Sequence, residues 1–428
     1  MCHVGRLLTP RIVQRNMRWG EFKRPHEMKE KGMLKSSHRP GNIARRDFMK
    51  ASVIGSSALL AACTCPVRPK KPVVSIARIK NGNVAGAVSH AIELLGGIGE
   101  VIGDKGSIML KPNLVGDAPD CTTNPEVIYA LARLLQDAGK EVAIGEGSAV
   151  ASGFGDGSCY IKQSDTELDA MQKCVFDNLG YSDLAKSLGV HLFNLHTGPM
   201  ETVNVPNGLT YKQLTIRREL TKIGLLCSVP MMKVHRISSV SLGMKNLIGL
   251  YPGKVYGSLR AKVHEHAFNQ SHPSPGVAFE IIDMVRVNKL GLTVIDGSRA
   301  MVGDGPCGGT GTLVPMNLII AGINPLATDM VAASIMRFEP DEIDHFVWAY
   351  FAGMGPRTMD EIEVRGETLF DVGQPLDPFG QAGTLKPNMI TWQNDMETNQ
   401  YHECPEQSVG RCPTRFSPYL NFPHVKSP

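Results

Sequence analysis

Ser107-Ile-Met-Leu-Lys111-Pro112-Asn113, Thr122-Thr123-Asn124-Pro125-Glu126 and Glu141-Val-Ala-Ile-Gly145-Glu146-Gly147-Ser148 follow one another within a single stretch of chain. Ile108, Met109 and Leu110 make a short apolar run that stops at Lys111-Pro112, which reads as a buried strand. Asn124 stands where an N-cap is needed, Pro125 in the first turn and Glu126 beside the positive end of the helix dipole. The spacing predicts a helix from there to about Ala138, closed by Gly139, and a second strand over Glu141–Ile144. A strand, a helix and a strand in close succession are the repeating unit of α/β folds.

The same alternation extends in both directions. Val73–Ile79 alternates with β-branched residues and predicts a strand, and Val84, Val88, Ile92 and Leu95 share one helical face. Further on, Ile223–Val229, Leu292–Ile295 and Asn317–Ile323 are apolar strand candidates. Asn324-Pro325 opens a helix over Leu326–Arg337, and Asp341–Phe351 predicts another. The expected fold is α/β: a mostly parallel sheet with helices on both faces, in Rossmann-like layering. Residues 151–220 lack a strand–helix rhythm and read as an irregular insertion. From about Gln393 the chain turns polar and Pro-rich, the composition of an extended C-terminal tail. The division expected is an export signal over 1–63, a linker over 64–72, the α/β domain over 73–366 and a C-terminal extension over 367–428.

Composition limits what the chain can be. Of 428 residues, 42% are hydrophobic and 20% charged, which excludes a mostly disordered chain, a coiled coil and a multi-span membrane protein. The net charge of +4 is unevenly placed. Residues 1–62 hold 13 Lys and Arg against 4 Asp and Glu, so the rest carries 32 basic against 37 acidic residues, a net of −5. A body of that sign gives no reason to expect nucleic acid as a partner.

The basic segment reads as an address. Arg45-Arg46-Asp47-Phe48-Met49-Lys50 precedes a short apolar run ending at Leu60, the layout of a bacterial export signal with the paired arginines of the twin-arginine type. That run is shorter than the about 20 residues a bilayer requires. Leu60-Ala61-Ala62-Cys63 resembles a lipoprotein box, with Cys63 as lipidation site and Pro66, Pro69 and Pro72 in a tether beyond it. The expectation is a periplasmic protein or a lipoprotein, partnered by the twin-arginine export machinery and held to a membrane only through a lipid on Cys63. None of the ten cysteines forms a C-x-x-C pair, so no iron–sulfur run is present, and Cys404 with Cys412 is the candidate disulfide.

Residues suited to chemistry gather where strands end. Ligands of open α/β sheets bind beyond the carboxyl ends of the strands. Lys111, Asn113, Thr123 and Glu146 fall at such ends and could hold a carboxylate or phosphate; plain capping and turn chemistry is the alternative. Lys233 and His235 follow the apolar strand 223–229, and Lys245-Asn246 lies between glycines. Lysine is rarely buried unpaired, so Lys233 and Lys245 are candidate anion ligands and His235, with Lys233, a candidate acid/base group. Asp296, Asp304 and His264 are candidate ligands of a divalent metal, with Gly305 giving close backbone approach to a ligand. The run Gly303–Gly311 contains a formal G-x-G-x-x-G, but it leads into a strand and not a helix, which argues against a nucleotide fingerprint.

In order, Lys111-Pro-Asn113, Thr123-Asn-Pro125, Pro230-x-x-Lys233-x-His235, Gly243-x-Lys245-Asn246-x-x-Gly249, Asp296-Gly297, Gly303-Asp-Gly-Pro306 and Asn324-Pro-x-Ala327-x-Asp329 make a recognisable set. The set resembles the family catalogued as domain of unknown function 362, and Gly353-Met-Gly355 with Ile362–Gly366 is similar to its closing signature. The resemblance spans about Val73 to Gly366 and implies no particular activity. Some relatives carry an added ferredoxin-like cysteine segment, which this chain lacks. The strand–helix layout also resembles the N-terminal region of nickel-pincer lactate racemases, by layout alone. Two function classes stay open: an exported enzyme acting on a small anionic substrate with metal assistance, and a non-catalytic module that binds a small ligand or metal. Under either, Lys111, Lys233, His235, Lys245, Asp296 and Asp304 should converge on one cleft.

Overall fold

Strands β1 (Val73–Arg78), β2 (Ser107–Pro112), β3 (Glu141–Glu146) and β4 (His191–Asn194) are joined by helices α1 (Val84–Leu94), α2 (Pro125–Asp137), α3 (Asp165–Asn178) and α4 (Tyr181–Leu188). The computed structural model describes residues 70–152, 164–235, 238–257, 277–303 and 311–376. All belong to the unit Lys70–Pro428. The signal with Arg45, Arg46 and Cys63, the candidate ligands His264, Asp304 and Gly305, the pair Cys404 and Cys412, and the tail from residue 377 lie outside the described residues.

The chain continues through β5 (Met200–Asn204), β6 (Gln213–Arg217), β7 (Leu225–Val229), β8 (Met231–His235), β9 (Ser239–Ser241), α5 (Val277–Val287), β10 (Leu290–Val302), β11 (Thr312–Gly322), α6 (Pro325–Ile335), α7 (Asp344–Phe351) and β12 (Glu363–Gly366). The main sheet runs β12-β1-β11-β10-β7-β2-β3-β4, with β8 pairing β10 and β9 pairing β8. From β10 to β4 every neighbouring pair is parallel, while β11 runs antiparallel between β10 and β1. The fold is α/β with a mostly parallel mixed sheet.

Alternate residues of each central strand feed opposite faces. Met109, Leu226, Ile295 and Ile320 pack with Ile281, Ile282, Val331 and Phe346 from α5, α6 and α7. Ile108, Leu110, Val294 and Ile319 pack with Val88, Ile128, Leu131 and Ala185 from α1, α2 and α4. Because both faces are covered, β2 and β7 are buried on both sides and carry short apolar runs (Ile108–Leu110, Leu225–Cys227) instead of alternating, which is why such runs marked them in the sequence.

Two regions differ from the sequence expectation. Residues 151–220, read as an irregular insertion, contain α3, α4, the edge strand β4 and a separate antiparallel hairpin of β5 and β6. β4 and β5 are four or five residues long and half polar, so no periodicity exposes them; β6 alternates, with Leu214 and Ile216 buried, over only five residues, and Ser164 and Glu167 form a capping box that opens α3. β10 and β11 run longer than their apolar segments: a register shift between Gly297 and Arg299 and the left-handed backbone of Asn317 (φ 56°) interrupt the pattern without ending the strands. No helix among the described residues is long and apolar enough to cross a membrane.

Candidate functional site

The carboxyl ends of β2, β3 and β7 meet at one edge of the sheet, and the extended half of β10 carries β8 over that edge through the pairing of Met301 with Lys233. The last residues of β2, turned inward by the parallel register, include Lys111, which is fully buried. Its ammonium donates to both oxygens of Glu146 at 2.9 and 3.0 Å, to Asn246 Oδ1 at 2.9 Å and to the Pro112 carbonyl at 2.9 Å. Glu146, at the end of β3, accepts in addition the N–H groups of Leu114 and Gly147, each at 2.8 Å. Desolvating two charges is costly, and this pair meets the condition that makes it tolerable: the remaining lone pairs and protons are satisfied.

Asn246 sits at the centre of the arrangement. It follows Lys245 in the 3-10 helix Lys245–Leu250, and its Nδ2 donates to Lys111 O and Ser228 Oγ, each at 3.0 Å. Its Oδ1 accepts from Asn113 Nδ2 at 3.3 Å as well as from Lys111. Asn113 in turn accepts Lys233 Nζ on Oδ1 at 2.6 Å, and Lys233 also donates to Cys121 O at 3.3 Å. Thr123 locks the loop beneath, accepting Asn113 N–H at 2.8 Å and donating to Val229 O at 2.7 Å. Glycine is required where the 3-10 helix crosses the pair: a Cβ on Gly249 would stand 2.7 Å from Lys111 Nζ.

Lys111, Asn113, Thr123, Glu146, Lys233 and Asn246 thus share one hydrogen-bonded assembly. Asp296 joins it through the start of α2: its Oδ2 accepts Asn124 N–H at 2.8 Å, and its Oδ1 accepts the N–H and hydroxyl of Ser298 at 3.0 and 2.7 Å. Burial pushes the Asp296 carboxyl up, against these hydrogen bonds and the nearby charge of Arg299. His235 closes β8, half-buried and paired in register with Ser239 of β9. Lys245 is buried, and its charge is felt at His345 on α7, where burial first and Lys245 second hold the imidazole down at about 3.

One participant, Ser228, carried no signal in the sequence. Ser228 passes the assembly on by donating to Gly243 O at 2.8 Å, yet it stands inside an apolar strand where a small residue is unremarkable. Asp329 accepts the N–H groups of Gly243 and Met244 at 2.7 and 2.8 Å, which anchors the turn entering the 3-10 helix. Asn324, which the sequence placed at a helix start, caps α6 by accepting Ala327 N–H at 2.8 Å. Among the described residues no group of three or more His, Cys, Asp or Glu is arranged to hold a metal ion. Asp296 alone of the expected metal ligands is described, and the donors on both of its oxygens suit an ionised carboxylate; a cation beside it would require His264 and Asp304 as well.

Comparisons with known proteins place these residues in context. The family described as domain of unknown function (DUF362) matches residues 108–334, a span that begins in β2 and ends in α6. The thylakoid-associated protein sll1697 of Synechocystis sp. is 26% identical over 317 residues, covering 71% of this chain and 88% of that protein. The lactate racemase apoprotein of Thermoanaerobacterium thermosaccharolyticum is similar at 13% identity with a TM-score of 0.37; the match covers 63% of this chain and 58% of that one.

Proposed function

We propose a function for this chain, which belongs to the DUF362 family of domains of unknown function: it acts on a small anionic substrate at the carboxyl ends of β2, β3, β7 and β8. The observation that carries this reading is the buried chain of contacts Glu146–Lys111–Asn246–Asn113–Lys233, which assembles charged groups from residues far apart in sequence at the edge where α/β proteins bind ligands. Lys111 and Glu146 neutralise one another and act as the fixed base of the site, and Asn113, half-exposed, reaches outward from it with Lys233. In the enzymatic form of the proposal His235 and Lys233 move the proton, and the substrate's anionic group lies against Lys233. A divalent cation held by Asp296 with His264 and Asp304 would supply charge stabilisation to the substrate.

Capture without turnover is the second reading, favoured by the mutual neutralisation of Lys111 and Glu146, since a rigid and satisfied base serves binding as well as chemistry. Incubating the purified full chain with small carboxylates and phosphate esters, read by NMR, separates the two. Product formation that disappears in His235→Gln supports the enzyme; saturable binding with no product supports the binding module; neither one rejects both. The cellular setting belongs to the same proposal: export by the twin-arginine pathway, with lipidation of Cys63. The thylakoid association in the name of the Synechocystis relative supports the membrane-attached form.

A further inference from the structure

Arg299 lies on β10 three residues after Asp296, and strict strand alternation would send the two side chains to opposite faces. The register of β10 against β11 shifts between Gly297 and Arg299, and a bulge of this kind re-aims the side chain that follows it. Arg299 accordingly reaches the same connection, between β2 and α2, that Asp296 touches. Its Nη2 donates to Pro119 O at 3.3 Å and its Nη1 stands 3.6 Å from Asp120 Oδ1, while Asp296 holds Asn124 N–H. Cys121, whose carbonyl accepts from Lys233, follows Asp120 directly.

Exposure separates this cation from the others. Lys111 and Lys233 are buried within the hydrogen-bonded assembly, whereas the side chains of Arg299 and Asp120 are 39% and 69% exposed. An ion pair of that length and exposure contributes little and exchanges readily. A guanidinium has the planar fork that fits a carboxylate with two parallel hydrogen bonds. We propose that Arg299 is the docking group for the anionic end of a small carboxylate ligand, which displaces the carboxylate of Asp120 from the guanidinium as it enters the strand-end site. The proposal rests on the reading that the strand ends bind a small anion, and it names the ligand class and the residue that selects it. Asp120 then acts as an internal competitor that keeps the guanidinium oriented when no ligand is bound.

Calorimetric titration of the full chain with malonate, and separately with inorganic phosphate, at low ionic strength tests this. Arg299→Ala should weaken malonate binding about tenfold, the scale of a charge-assisted hydrogen bond removed, and Arg299→Lys should restore only part of it. Asp120→Asn should tighten binding about two- to fivefold because the competitor is gone. Thermal unfolding of these surface variants should match the parent chain, so that the changes report on binding. Unchanged affinity in Arg299→Ala, weaker binding in Asp120→Asn, or preference for phosphate over malonate overturns the assignment. If binding is lost in Lys233→Met but unaltered in Arg299→Ala, the role of Arg299 falls and the strand-end reading stands. Absence of saturable binding of both probes by the parent chain overturns the two together.

Discussion

Lys111 was singled out because a lysine seldom closes an apolar strand without a reason, and the reason is a partner 35 positions away, Glu146. Removing one member of such a pair leaves the other buried and uncompensated. Lys111→Met should therefore lose about 3–5 kcal/mol of stability in urea unfolding, and the double variant with Glu146→Gln should lose less than the sum of the two single changes. Asp329 makes a prediction of opposite electrostatic sense. Burial raises its carboxyl from 3.8 to about 7, although the N–H groups of Gly243 and Met244 pull it down. The folded chain thus holds this proton to higher pH than the unfolded chain. The Asp329 contribution to stability is fully present below about pH 4 and lost as pH rises toward about 7. Asp329→Asn cannot accept both N–H groups and should be less stable by about 1–3 kcal/mol at pH 4. Its deficit should shrink as pH rises to 7, and urea midpoints at the two pH values measure the difference. Asp329 stands one turn into α6 and was named only as the last residue of the family's motif, so its contact with residues 243 and 244 had no local signature.

Capping residues and turn glycines describe elements well before their neighbours are known. Asn124 and Asn324 both cap helices as their positions beside proline implied, since a cap is satisfied by backbone N–H groups two or three residues away. The 3-10 helix Lys245–Leu250 is a different case. Lys245 and Asn246 stood out in the sequence as a polar pair between glycines, and one of those glycines, Gly249, is there because the backbone passes against the Lys111–Glu146 pair. A methyl group at that point must displace one of two charged side chains that have no room to move. Gly249→Ala should cost about 1–3 kcal/mol, the range of overpacked buried sites, and thermal unfolding reads it. If the strand-end site binds anions, the same variant should also weaken malonate binding, because the 3-10 helix carries Asn246. Short polar strands such as β4 and β5 were invisible for a physical reason. An edge strand with one wet face and four or five residues has too few buried positions to produce a period.

At the scale of the whole molecule, the proposed export signal supplies a prediction independent of the site. Replacing Arg45 and Arg46 together by lysine should leave the protein in the cytoplasm on fractionation, because the twin-arginine pathway reads the paired guanidinium groups. Cys63→Ala should release the exported protein from the membrane fraction if a lipid on that residue is its anchor. Fold class was legible in the amino-acid order because strand–helix alternation, apolar runs and caps are local consequences of burial on two faces of a sheet and of backbone hydrogen bonding. Lys111, Lys233 and Asn246 could be named for the same local reason, being polar groups at the ends of apolar strands or between glycines. Their partners could not. Which carboxylate neutralises Lys111, which carbonyl receives Lys233 and which loop Arg299 reaches depend on strand order and on a bulge in β10. The order β10-β7-β2-β3 sets residues more than a hundred positions apart side by side, and the energy that selects it is the packing of two cores along the whole chain, a sum that no local stretch carries.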